Sequence, residues 1–201
     1  MATHRSATPH PDRRSPLVFD VSRLGRRPGT MMTLAQTVPS PSRIGLELSA
    51  IEPGADLDLD LRFESVSEGV LVSGTVAAPT RAECSRCLEP VTGDVEIELT
   101  ELFAFPDSLT ESTSEEDEVG HVIDQTVDLE QPIIDAVGLA LPFTPVCAPD
   151  CPGLCPKCGV PLATAEPDHQ HDQIDPRWAK LAEMVATDGD GGSAKPGNPT
   201  P

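Results

Sequence analysis

The six cysteines of this chain stand in close-set groups, and no other feature constrains the fold so strongly. Cys84 and Cys87 form a C-x-x-C step in ECSRCLEP. Cys147, Cys151, Cys155 and Cys158 follow in VCAPDCPGLCPKCG, and His169 and His171 come shortly after. Soft divalent ions such as zinc take four donors at tetrahedral corners and prefer thiolate and imidazole. A C-x-x-C step aims two sulfurs at one ion from a single tight turn. Gly159, after Cys158, tolerates the backbone conformation such a turn needs.

These eight side chains are enough for two closed sites. The favoured pairing sets Cys84 and Cys87 with Cys147 and Cys151, and Cys155 and Cys158 with His169 and His171. Two other groupings remain open. Cys147, Cys151, Cys155 and Cys158 can form one local all-thiolate site, or the two C-x-x-C steps can share one zinc. One or two Zn2+ ions are therefore expected. An isolated C-x-x-C also serves redox chemistry, and HQH in a polar, acidic stretch also fits a solvated loop.

No apolar run reaches the length a membrane helix needs, and no apolar h-region follows the first arginines, so neither a membrane span nor a secretory signal is expected. C-x-x-C steps without such a signal point to reduced thiols and a cytoplasmic protein. Twenty-two prolines, fifteen glycines and an apolar content of 38% leave part of the chain without a core to join. The core should be aliphatic, since there are five Phe, one Trp and no Tyr.

The expected organisation is a disordered tail over 1–16 and a β-rich domain over 17–145 with an acidic mobile loop at 106–121. A Cys/His module with a C-terminal helix follows over 146–186, then a disordered tail over 187–201. Residues 56–66, DLDLDLRFESV, alternate with period two and put Leu57, Leu59, Leu61 and Phe63 on one face. Ser67-Glu68-Gly69 turns the chain, and residues 69–78 return with Val70, Val72 and Val76, an antiparallel hairpin. Residues 80–84 read as a further strand leading into the CSRC step. Residues 95–105 present Val95, Ile97, Leu99 and Leu102 inward, and residues 45–51 read as one more strand. Ahead of these, Leu17, Val18, Phe19, Val21 and Leu24 can anchor a docked segment. In DLEQPIIDAVGLALP, Asp128 can cap a helix carrying Ile133, Ile134, Val137, Ala140 and Leu141, which Pro142 ends. Asp175 and Pro176 open a C-terminal helix. The fold class is thus α+β, mainly β with few helices. An antiparallel sheet, able to curl into a half-barrel, carries one packed helix.

The net charge of −19 is uneven. Between Arg86 and Lys157 there are sixteen acids and no Lys or Arg, whereas residues 1–43 hold seven arginines against Asp12 and Asp20. An acidic body repels nucleic acid and attracts cationic surfaces, although such charge also simply maintains solubility. RNA contact would fall to Arg23, Arg26 and Arg27.

The order CSRCLEP, acidic loop, DLEQPIIDAVGLALPFTPVC, DCPGLCPKCG and IDPRWAKL resembles the YceD family, the large ribosomal RNA subunit accumulation proteins. RRPGTM and ESVSEGVLVSGT are similar to that family's actinobacterial type. The resemblance covers about residues 17–186. It implies a role in accumulation of large-subunit ribosomal RNA without catalysis, and a gene neighbourhood shared with a small zinc-ribbon ribosomal protein. Partners would be that RNA or a basic large-subunit ribosomal protein, with no small-molecule substrate. Family members often carry a C-x-C step before IDPR, where this chain has His169 and His171. Two other functions compete: a thiol oxidoreductase built on Cys84 and Cys87, with Arg86 lowering a thiol pKa, and a zinc-dependent hydrolase.

Overall fold

The computed structural model describes residues 12–110, 119–171 and Arg177. Most of the expected N-terminal tail, the centre of the acidic loop, the C-terminal helix apart from Arg177, and the final tail lie outside the described residues. Within them the chain forms β1 (Val18–Asp20), β2 (Met31–Pro39), β3 (Ile44–Gly45), β4 (Ser49–Ile51) and β5 (Asp56–Ser65). There follow β6 (Gly69–Glu83), β7 (Pro90–Ala104), β8 (Gly120–His121), β9 (Thr126–Asp128) and α1 (Glu130–Ala140). The chain divides into two compact units, Met1–Gly153 and Leu154–Pro201. Cys147 and Cys151, expected in a module over 146–186, thus belong to the unit that holds the sheet.

Period-two alternation builds this sheet. Leu57, Leu59, Leu61 and Phe63 of β5 are buried while Asp56, Asp58 and Asp60 between them are exposed. β6 is the spine. One edge pairs antiparallel with β5 and, further along, with β4; the other pairs with β7 from Gly69↔Ala104 to Glu83↔Pro90. β2 continues the sheet beyond β5, β3 ends it beyond β4, and β8 adds the parallel pairing, to β7. β1 and β9 make a separate two-stranded sheet.

The core gathers on one face. Leu17, Phe19, Val21 and Leu24 dock there, with the Phe19 and Phe63 rings 5.7 Å apart. Each fully buried Leu or Phe contributes roughly 1.5–3 kcal/mol relative to exposure. α1 packs against β7 and β3 through buried Ile133 and Val137. Leu129 holds the N-cap position, yet the Asp128 carboxylate accepts the Glu130 N–H at 2.9 Å.

Several strand assignments shift. Residues 80–84 are no separate strand: β6 runs on to Glu83. Residues 45–51 split, because the chain turns between Gly45 and Ser49, with Leu46 N–H bonded to the Ser49 carbonyl. In β7 the inward phase is Ile97, Leu99 and Phe103, so Leu102 falls on the opposite face and is half-buried. Ala140 is exposed, and Leu141 just beyond the helix supplies the buried contact instead. The stretch expected to be mobile carries order at both ends. Leu109 and Thr110 are helical, with their N–H groups on Glu68 Oε2, and Gly120–His121 is β8.

Candidate metal centres

The β6–β7 hairpin ends in the sequence CSRCLE. Where the ladder stops at Glu83↔Pro90, the turn closes on itself: Cys84 N–H donates to the Glu89 carbonyl and Leu88 N–H to the Cys84 carbonyl. This presents Cys84 and Cys87 on one side. The segment after α1 meets them, with the Pro145 carbonyl accepting the Ser85 N–H at 2.8 Å. It brings Cys151 Sγ to 3.8 Å from Cys84 Sγ and Cys147 Sγ to 3.6 Å from Cys87 Sγ. Arg86 reaches across, its Nη1 donating to the carbonyls of Pro149 (3.2 Å) and Cys151 (3.0 Å). Gly153, at φ 77°, leaves room for the Arg86 backbone.

In the second unit, residues 155–160 make a turn of the same kind. Cys155 N–H donates to the Val160 carbonyl, and Gly159 N–H to the Cys155 carbonyl at φ 74°. Two successive turns follow, closed by Thr164 N–H on the Pro161 carbonyl and His169 N–H on the Glu166 carbonyl, and they carry both histidines back. Cys158 Sγ lies 3.4 Å from His169 Nε2 and 3.2 Å from His171 Nε2, and the two Nε2 atoms are 3.1 Å apart.

Each group, Cys84/Cys87/Cys147/Cys151 and Cys155/Cys158/His169/His171, keeps its donor atoms within 4.8 Å of one another and could hold a metal ion. A zinc tetrahedron with arms of about 2.3 Å to sulfur has edges of about 3.8 Å, and about 3.3 Å between two imidazole nitrogens. The separations of 3.8 and 3.6 Å in the first group, and of 3.4, 3.2 and 3.1 Å in the second, lie near these edges. A disulfide needs sulfurs at about 2.05 Å, and all six cysteines are free.

Crowded thiols cannot all ionise unaided. Backbone N–H groups of Cys147 and Cys87 pull the Cys84 thiol down to about 6 from its ordinary 9.0. Those of Cys158 and Lys157, with His169, do the same for Cys155, also to about 6. Bonds from the Cys151 and Cys87 side chains push Cys147 up to about 12. Cys84 and Cys155 thus lean towards thiolate while Cys147 keeps its proton, and a dication at either centre would favour the charged form.

Arg23, Arg26 and Arg27 all lie on the exposed turn before β2, and Arg26 sits over the Phe105 ring at 4.8 Å. The clamp made by Arg86 was not foreseen; its place between the two cysteines was the only sequence signal. No helix among the described residues is long and apolar enough to cross a membrane.

A family model described as large ribosomal RNA subunit accumulation protein YceD matches residues 72–185. The chain belongs to the YceD family. YceD-family relatives include an uncharacterized protein of Mycobacterium tuberculosis, 71% identical over 88% of this chain and 84% of its own length. Another, from Mycobacterium leprae, is 62% identical over 87% of this chain and 80% of its own length. The uncharacterized protein YlbN of Bacillus subtilis is 28% identical over 64% of this chain and 72% of its own length. The mycobacterial relatives agree with an actinobacterial type of YceD sequence. No solved structure matches the chain.

Proposed function

We propose that this YceD-family chain is a cytoplasmic, zinc-braced binding factor that supports accumulation of large-subunit ribosomal RNA without catalysing a reaction. The observation that carries the proposal is that each donor group is complete. Cys84, Cys87, Cys147 and Cys151 would hold one Zn2+, and Cys155, Cys158, His169 and His171 a second. Four protein ligands characterise structural zinc, whereas catalytic zinc keeps a position for water. The zinc would fix the hairpin tip to the segment after α1. Against the oxidoreductase alternative stand the burial of Cys84 and the engagement of Arg86 with two carbonyls. The family's description supplies the ribosomal setting. The acidic body would receive a basic large-subunit ribosomal protein, and Arg23, Arg26 and Arg27 would serve any direct RNA contact. Two measurements on protein recovered from cells test this: metal stoichiometry and mass spectrometry of what copurifies. Two zinc ions with large-subunit components support the reading, and a metal-free folded chain without such components rejects it.

A further inference from the structure

Among the described residues β2 leaves one edge bare. Ser65 N–H donates to the Thr30 carbonyl at 2.9 Å, which fixes the phase of the ladder with β5. Even-numbered Met32, Leu34, Gln36 and Val38 therefore bond to β5. Odd-numbered Met31, Thr33, Ala35 and Thr37 turn their N–H and C=O groups outward. Among the described residues none of those outward groups has a partner. Edges of this length are usually guarded by charged side chains, bulges or proline. MMTLAQTVP has no charge, and its proline stands at the far end.

The neighbouring strand says what would cover it. On the solvent face, register sets Ala35 opposite Asp60, Thr37 opposite Asp58 and Pro39 opposite Asp56. All three carboxylates are exposed. A strand added beyond β2 would lie about 9–10 Å from β5. Across residues as small as Ala35 and Thr37, an extended Lys or Arg spans that gap to meet an Asp. One rung further on, Thr33 stands opposite Arg62, which is paired with Glu64 at 2.7 Å, so no cation is favoured there. A second copy of this chain would bring its own aspartate row towards the first, and like charges oppose that pairing.

We infer that the outer edge of β2 accepts an extended basic peptide segment as an added strand. Its Lys or Arg residues lie beside Ala35, Thr37 and Pro39 and face Asp60, Asp58 and Asp56. This narrows the basic-partner reading proposed above and rests on it. Backbone bonds along the edge supply affinity, and the carboxylate row selects charge and register.

The test uses the full-length zinc-loaded chain and two labelled octapeptides of equal charge, alternating Val-Lys and alternating Pro-Lys. The Val-Lys peptide is expected to bind at least tenfold tighter, and to slow hydrogen exchange at the Met31, Thr33, Ala35 and Thr37 amides. Ala35→Pro, which removes an outward N–H at an edge where proline is tolerated, should lose at least tenfold. Asp58→Asn with Asp60→Asn should weaken binding by a similar factor and flatten its salt dependence. Equal binding of the two peptides, or unchanged exchange at those amides in the unmutated chain, overturns the inference. So does a dimer that Ala35→Pro splits, or edge protection that disappears when residues 1–11 are deleted. Large-subunit components that still copurify with Ala35→Pro would leave the ribosomal reading standing without this edge.

Discussion

Leu88 and Gly159 hold the same step in two turns whose sequences share little beyond the cysteines. Each donates its N–H to the carbonyl of the first cysteine of its C-x-x-C, Cys84 or Cys155, at 2.8 Å. Each does so in the left-handed region, at φ 62° and φ 74°. The turn imposes this conformation, because four residues must wrap both sulfurs to one side. Only one of the two positions has a residue suited to it.

Exchanging those residue types tests the strain. An L-residue held in the left-handed region costs about 1–2 kcal/mol, and glycine avoids that cost. Nothing lies within 4 Å of a Cβ built on Gly159, so any penalty for Gly159→Ala is conformational. That variant should weaken zinc at the second group by about five- to thirtyfold in chelator competition. Leu88→Gly should hold zinc at the first group at least as tightly as the natural residue. An unchanged affinity for Gly159→Ala would show that the turn is softer than its geometry implies.

Metal content should fall one ion at a time. Cys84→Ala is expected to leave one zinc per chain, His169→Ala with His171→Ala to leave the other, and the combination none. Native mass spectrometry reads the count, and far-ultraviolet circular dichroism should show the strands persisting in each variant. A single substitution that empties both groups would mean they are not independent.

The metal-stripped protein should show a signed pH response. Cys84 and Cys155, held near about 6 against an ordinary 9.0, bind fewer protons folded than unfolded across that interval. Their stabilisation is full above pH 9 and is lost as pH falls through about 6. Cys147, pushed up to about 12, acts oppositely: its contribution is present below pH 9 and declines as pH rises towards 12. Urea midpoints of the chelator-treated chain should therefore climb from pH 6 to 9 and then drop, and Cys84→Ser should flatten the climb. A midpoint constant over that lower interval contradicts the scheme.

Arg86→Lys keeps the charge and gives up the guanidinium Nη1 that reaches both the Pro149 and the Cys151 carbonyl. A hydrogen bond from a charged donor contributes about 1.5–3 kcal/mol, so zinc at the first group should bind roughly tenfold to a hundredfold more weakly. Zinc at the second group should be unaffected, which separates this effect from general unfolding. Equal loss at both would point to damage elsewhere.

What could be read in the amino-acid order follows from how strongly each segment repeats. β5 was plain because Leu57, Leu59, Leu61 and Phe63 alternate with charge, and no helix could place them on one side. β2 was not, because Gln36 interrupts its inward phase, Ala35 and Thr37 carry little signal, and pairing with β5 stabilises it from outside. Leu102 and Phe103 are adjacent and both apolar, so only the ladder to β6 decides which turns inward. The donor atoms were visible as residues, whereas Arg86 as a clamp depends on carbonyls more than sixty positions away.

The CSRCLE turn closes a hairpin of fifteen paired positions, so anything lost at that tip is felt first by the rungs beside it. A chain with no ion at this group would then fray from one end, its Ala82 and Val91 amides loosening well before those at Val70 and Phe103. Damage would arrive as a gradient along the hairpin, and restoring the ion would zip it shut again.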